Sequence, residues 1–67
     1  MADNVFKKIQ VVGTSSKSLS DAVANAVAKV SQTEKNLRWF EVIEQRGAVI
    51  EGRIEYQVTL CLGIKME

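Results

Sequence analysis

Few side chains in this 67-residue sequence could carry chemistry. There is no histidine, which removes Ser-His-Asp and Cys-His catalysis and also the commonest zinc ligand. The one cysteine, Cys61, follows Leu60 inside an apolar stretch with no basic activator close by in the sequence. Because thiol reactivity depends on such activation, we expect Cys61 to be inert. These features favour binding over catalysis, and we predict that the chain is not an enzyme.

The only tryptophan, Trp39, lies in a segment rich in aromatic and β-branched residues, which is typical of a strand. Because successive side chains of a strand point to opposite faces, Trp39 shares one face with Leu37 and Ile43, whereas Phe40 and Val42 lie on the other. If Phe40 and Val42 face a helix, Trp39 lies on the uncovered face of the sheet. Three interpretations stay open: a subunit interface, a stacking platform for a planar aromatic ligand, or a core position if the parity is misjudged.

Two polar residues are candidates for the same site. Gln57 both donates and accepts through one amide, which suits the edge of a heterocycle, although a solvated strand residue looks the same in sequence. Arg46 precedes Gly47 and is either a surface charge at a turn or a partner for an anionic group or a neighbouring subunit. Strict alternation places Arg46 on the face opposite Trp39. A role beside Trp39 therefore requires a β-bulge or a second copy.

Four predicted elements position these residues in an α+β fold of order β-α-β-β. The helix is predicted over 19–34, since its apolar residues recur at helical spacing, and the strands over 5–12, 37–46 and 53–65. We predict one domain, 1–67, in which one amphipathic helix lies across one face of a three-stranded, mostly antiparallel sheet. One apolar stripe of the helix should pack on the sheet, where Phe40 and Val42 of the second strand are among its expected contacts. The stripe consists of Leu19, Ala22, Val23, Ala26, Val27 and Val30.

Local signals mark the ends of these elements. Gly13 is interpreted as the breaker after the first strand, and Ser18 with Asp21 as an N-terminal capping pair. A turn is predicted over 47–52. In the third strand the even-numbered residues from Ile54 to Ile64 share one apolar face.

Charge and size limit the function further. Nine Lys and Arg against eight Asp and Glu give a net charge of +1, which opposes nucleic-acid binding, and the apolar runs are too short to cross a membrane. A single cysteine favours a reducing compartment, and we expect the cytoplasm. A chain of this size buries only about 60% of its surface when it folds alone. Without a disulfide to compensate, we expect self-association.

Four stretches give the sequence a family resemblance that covers residues 5–67. They are Val12-Gly13-Thr14-Ser15-Ser16, Leu37-Arg38-Trp39-Phe40-Glu41-Val42, Arg46-Gly47 and Tyr56-Gln57-Val58-Thr59-Leu60. In this order they resemble the dodecins, which are small flavin-binding proteins. One departure is the 48–53 turn, which is about one residue shorter than in some members.

The resemblance implies a three-stranded antiparallel sheet partly wrapped around its one helix. It also implies a hollow homododecamer with flavins bound in pairs between symmetry-related tryptophans at subunit interfaces. Trp39 would stack on the isoalloxazine ring, Gln57 would hydrogen-bond its polar edge, Arg46 would lie at the flavin site and Lys65 would help to hold the phosphate of FMN. FMN is the expected ligand, and the resemblance also allows binding of riboflavin, FAD or coenzyme A. The implied role is flavin storage, buffering and quenching of flavin photochemistry. The alternative is a structural or interaction oligomer without flavin function.

Overall fold

The computed structural model describes residues 3–67 and contains three strands and one helix in the order β-α-β-β. Strand β3 lies in the middle of the sheet and is antiparallel to β1 on one side and to β2 on the other. The predicted fold class is therefore confirmed. The elements are β1 Val5–Ser15, α1 Leu19–Ser31, β2 Leu37–Ile50 and β3 Arg53–Met66.

Helix α1 begins at the predicted capping pair. The hydroxyl of Ser18 accepts a hydrogen bond from the backbone N–H of Asp21 at 2.9 Å, which satisfies one of the free donors of the first turn. The Asp21 carboxylate accepts a hydrogen bond from the Ser15 hydroxyl at 2.7 Å and so ties the helix start to the end of β1. The helix ends at Ser31, three residues before the predicted end. No helix within residues 3–67 is long and apolar enough to cross a membrane.

The core lies between α1 and the even-numbered face of β3. Ala22 and Ala26 of the helix pack on Val58, Leu60 and Leu62 of the strand, and all five are buried. The other apolar residues of the helix stripe surround this cluster, as the helical spacing predicts. The core is therefore narrow and is centred on one strand.

Phe40 and Val42 lie on the helix-facing side of β2, as predicted, opposite the buried Leu62 and Leu60, but the helix does not cover them. Helix α1 packs mainly against β1 and β3, and it leaves Phe40 and Val42 50% and 48% exposed. The reason is the position of the helix on the sheet: α1 lies over β1 and β3, and β2 is on the far side of β3 from β1. Strand β2 is consequently an edge strand with apolar side chains in solvent.

Gly13 does not break β1, which continues to Ser15. Its function is to allow the helix to approach. A Cβ atom at this position would lie 2.3 Å from the backbone oxygen of Ala22 and 2.8 Å from the Cβ of Ala26. Glycine and the two alanines together let the backbones of β1 and α1 come close, and this places the helix over β1 and β3.

The β2–β3 hairpin is longer than predicted. Its turn consists only of Glu51 and Gly52, both with positive φ (51° and 77°), as in the tight turns that join antiparallel strands. The hairpin extends the molecule to 55 × 20 × 14 Å, and the radius of gyration of 13.9 Å exceeds the roughly 11 Å of a compact chain of this length. The apolar residues Val49, Ile50 and Ile54 near its tip are exposed.

Replacing Gly13 with alanine should destabilise the fold. The added methyl group overlaps the helix backbone, and overpacking of this kind costs about 1–3 kcal/mol. Urea unfolding at a fixed protein concentration measures the loss. Gly47→Ala is the matched control, because a Cβ there meets no atom closer than 3.7 Å. Equal unfolding midpoints for the two variants would contradict the close approach.

Candidate functional site

Two β-bulges in β2 decide which side chains share a face. The register shifts between Leu37 and Trp39 and again between Val42 and Glu44, so that Arg38 and Ile43 are extra residues. The first bulge places Leu37 opposite Ile64 and against the core, and its predicted position beside Trp39 is therefore wrong. The second bulge places Arg46 opposite Gln57. Strict alternation placed Arg46 on the face opposite Trp39, and this prediction is wrong because the bulge puts Arg46 on the same face as Trp39 and Gln57.

The face of the sheet turned away from α1, which we call the open face, carries all four predicted site residues, Trp39, Arg46, Gln57 and Lys65. Cross-strand partners point to the same side of a sheet, so the register assigns this face directly. Cys61 also lies on this face and is buried. The fold brings Lys8 close to it, which the sequence did not indicate, and the inert thiol stays a prediction. The open face also carries Phe6, Lys8, Gln10, Val12, Thr14, Glu41, Glu44, Ala48, Glu55 and Thr59.

Trp39 occupies one end of the open face, which we call the aromatic end. Its indole lies directly over Gly63, its cross-strand partner. The ring of Phe6 meets it edge-on, with the ring centroids 5.1 Å apart at an angle of 66°. Trp39 is 37% exposed, which excludes the interpretation as a core residue. A subunit interface and a stacking platform remain. A tryptophan held in this way presents aromatic surface to a partner or ligand.

Arg46 and Gln57 form a hydrogen-bonded pair near the other end, which we call the amide end. The Arg46 guanidinium donates from Nε to Oε1 of Gln57 at 2.6 Å, and Gln57 donates from Nε2 to Oε1 of Glu55 at 2.9 Å. This network fixes the orientation of the amide. One N–H of Nε2 and one lone pair of Oε1 remain for a further partner, so the amide offers a donor and an acceptor side by side.

The two ends are far apart in one chain. Trp39 lies over Gly63, and Gln57 lies six residue steps before Gly63 along β3. At about 3.3 Å per residue this is about 20 Å. Trp39 and Gln57 of the same chain therefore cannot contact one fused three-ring system. Any small ligand that touches both must take them from two copies of the chain.

Lys65 belongs to the aromatic end. It lies opposite Phe6, two residues beyond Gly63, and its backbone N–H donates to the Asn36 oxygen at 2.9 Å. It also lines a polar groove of about 320 Å³ at this end of the sheet, together with Lys7 and Lys35. Trp39 does not line this groove, and Glu34 and Glu67 offset its positive charge, so only Lys65 of its three lysines brings a cation to the open face at this end.

An ion pair crosses the open face beside Trp39. The Lys8 ammonium lies 3.1 Å from Oε1 of Glu41, and the pair joins β1 to β2 over the central strand. The hydrogen bond from Lys8, followed by its charge, lowers the pKa of Glu41, and the Trp39 side chain contributes in the same direction. The same hydrogen bond raises the pKa of Lys8. Among residues 3–67 no group of three acidic, cysteine or histidine side chains could hold a metal ion.

With this geometry established, comparison with known proteins identifies the family. The dodecin family model matches residues 5–67. The chain belongs to the dodecin family. A dodecin from Thermus thermophilus is 44% identical over 64 residues, which cover 94% of this chain and 93% of that protein. The structure of a Streptomyces coelicolor dodecin superposes with a TM-score of 0.92 at 41% identity, covering 100% of this chain and 97% of that one.

The family also contains a protein named for a different ligand. A calcium dodecin from Mycobacterium tuberculosis is 38% identical over 64 residues, covering 94% of this chain and 90% of that protein. One relative within the family is thus named for a metal ion, whereas the name of the Thermus thermophilus relative states no ligand. The ligand of this chain must therefore be argued from its own open face.

Sequence reasoning missed several residues of the site. Gly63 as the floor under Trp39, Phe6 as its edge-on neighbour and Glu55 as the acceptor for Gln57 follow only from the strand register. The sequence did contain a signal for Gly63, because a glycine inside a strand often marks a position where another group approaches the backbone closely. No comparable signal indicates Phe6 or Glu55 before the pairing of β1 and β3 is known.

Replacing Lys8 with methionine should raise the pKa of Glu41 towards its ordinary value, because the hydrogen bond and charge that lower it are removed. Since the folded-state pKa is lowered, the pair stabilises the fold above the ordinary carboxyl pKa and loses this effect as the pH falls through the folded value. Carbon-detected NMR titration of the Glu41 carboxyl measures the change. Lys7→Met serves as the control, because Lys7 pairs with Glu34 instead, and a Glu41 titration that does not respond to Lys8→Met contradicts the assignment.

Proposed function

We propose that this chain binds a flavin, with FMN as the main ligand, and stores and buffers it without turnover. The observation that carries the proposal is the half-exposed Trp39 indole, backed by Gly63 and edged by Phe6 on the open face of the sheet. Aromatic side chains presented on a sheet are stacking platforms for planar heterocycles. When bound, a flavin supplies an excitable, redox-active ring. Family membership supports this assignment and matches the resemblance found in the sequence.

The amide end supplies the polar part of the site. The free donor and acceptor of the Gln57 amide match the alternating donor and acceptor edge of a flavin, and Arg46 holds that amide in one orientation at 2.6 Å. Because Gln57 lies about 20 Å from Trp39 along β3, the two residues that hold one flavin come from different copies. The proposed site is therefore at a subunit interface.

The assembly in this proposal is the hollow homododecamer that the resemblance implies. Exposed apolar residues on β2 and on the hairpin tip, together with the elongated shape, support burial against further copies. Lys65 lies next to Trp39 and neutralises the phosphate of FMN, which favours FMN over riboflavin. FAD and coenzyme A are secondary ligands by resemblance, and the expected compartment is the cytoplasm.

Quenching follows from the contact itself. Trp39 would act as the electron donor to the excited ring and would regain the electron, so that the excitation is lost as heat without net oxidation. No proton-transfer group is needed for this cycle. The chain thereby protects the cell from flavin photochemistry while it keeps the flavin available.

Replacing Trp39 with alanine should weaken FMN binding and remove the quenching. Stacking on an aromatic side chain contributes about 1–3 kcal/mol, which corresponds to a rise in Kd of roughly 5- to 150-fold. Titration of FMN with the apo-protein, followed by flavin fluorescence, measures both effects. Trp39→Phe keeps an aromatic ring that is a poorer electron donor, and it should bind more tightly than the alanine variant while quenching less than the original protein.

The control for this titration is the size of the assembly, measured for each variant by light scattering. An unchanged FMN affinity in Trp39→Ala, with the assembly intact, excludes Trp39 as the platform. If the original protein forms the assembly but does not quench FMN, the structural oligomer without flavin function becomes the better description.

A second experiment tests whether two copies form one site. Trp39→Ala and Gln57→Ala subunits should each bind FMN weakly, whereas assemblies formed by co-expressing both should contain some sites with an intact Trp39 and an intact Gln57 from different copies. Their FMN affinity, or the number of tight sites, should exceed the mean of the two parents. A value equal to that mean would show that the two residues do not combine across the interface.

A further inference from the structure

The position of the Trp39 indole depends on the residue beneath it. A Cβ atom built on Gly63 would lie 2.2 Å from Cε2, 2.3 Å from Cζ2 and 2.4 Å from Cδ2 of Trp39. These three atoms belong to the fused part of the indole, so the ring system itself rests on the glycine backbone. Carbon atoms in ordinary contact are about 3.5–4.0 Å apart. Any side chain at position 63 would therefore lift the ring by more than about 1 Å.

The glycine backbone cannot retreat to make room. Gly63 lies on the central strand, paired with Lys8 of β1 on one side and with Trp39 of β2 on the other. Its sequence neighbours Leu62 and Ile64 are buried beneath the sheet in the core. Movement of this segment would break hydrogen bonds on both sides and disturb the packing under α1. The indole, which is exposed to solvent on its other side, is the group that must move.

The indole also has little room to slide sideways. Phe6 meets its edge at a centroid distance of 5.1 Å, and the Lys8–Glu41 ion pair, at 3.1 Å, crosses the open face beside it. A larger residue below would therefore push the ring away from the sheet rather than along it. The height of the indole above the sheet is set by the absence of a side chain at position 63.

We propose that Gly63 is a positioning residue, which sets the height and tilt of the Trp39 ring and so fixes the stacking plane that the open face offers to a flat aromatic ligand. This inference rests on the proposed function for its ligand, but the position of the ring can be tested without any ligand. A stack closed between two copies has a fixed width, so a ring raised by more than 1 Å leaves too little space. Gly63 thereby determines whether the site accepts a planar heterocycle.

The test compares Gly63→Ala with Gly47→Ala in the full-length protein. Gly47 lies in β2, the other strand of the same hairpin, but a Cβ there meets only Ile54 at 3.7 Å and Glu55 at 3.9 Å, which are ordinary contacts. In Gly63→Ala we expect a changed near-ultraviolet circular dichroism band of the single tryptophan without ligand, an unchanged assembly size and a rise of tenfold or more in the Kd for FMN. Gly47→Ala should leave all three unchanged. An unaltered tryptophan band and FMN affinity in Gly63→Ala would overturn the proposal.

A double variant separates positioning from a general loss of stability. Gly63→Ala should lower the melting temperature in the original background but should have little effect once Trp39→Leu has removed the ring, because the two changes are coupled through one contact. An equal loss in both backgrounds overturns the proposal. If the original protein does not quench FMN, the proposed function fails, whereas the tryptophan band and this coupling still decide the role of Gly63.

Discussion

The central position of β3 is the constraint on which the rest of the structure depends. Its even-numbered residues form the core under α1, and its odd-numbered residues form the floor of the open face. The same strand therefore provides stability on one side and the candidate site on the other. Leu62 and Ile64 illustrate this division, because they anchor Gly63 from below while the glycine supports Trp39 from above. A change in the core at this level is transmitted to the site with little room for relaxation.

One helix of 13 residues is too small to cover the sheet that it lies on. It packs closely on β1 and β3, which Gly13 makes geometrically feasible, and it leaves β2 as an edge with Phe40 and Val42 in solvent. The exposed apolar area and the elongated hairpin are features of a subunit that is completed by others. The bulges at Arg38 and Ile43 interrupt the free edge of β2, which restricts how another strand could pair with it.

Sequence periodicity predicted the element order, the helix stripe and the inward face of β3, because burial imposes a repeat of 3.6 or 2 residues. It failed where one extra residue changes the phase. The bulge at Ile43 moved Arg46 to the face of Gln57, and the bulge at Arg38 moved Leu37 into the core. Nothing in the residue types at 38 or 43 announces a bulge, so register had to come from the folded chain. Gly13 was similarly interpreted as a breaker, although its role is the close approach of a helix.

The distance between the two ends of the open face has a consequence for binding. An aromatic platform and an oriented amide lie on one rigid sheet, yet about 20 Å apart, so neither end alone can hold a small heterocycle well. In the proposed site, ligand and assembly are therefore linked: a flavin that contacts two copies stabilises their interface, and dissociation of the copies releases the flavin. A rigid sheet suits this arrangement, since each end is held in place before the other copy arrives. Storage and release then depend on the assembly as a whole and require no moving lid within the chain.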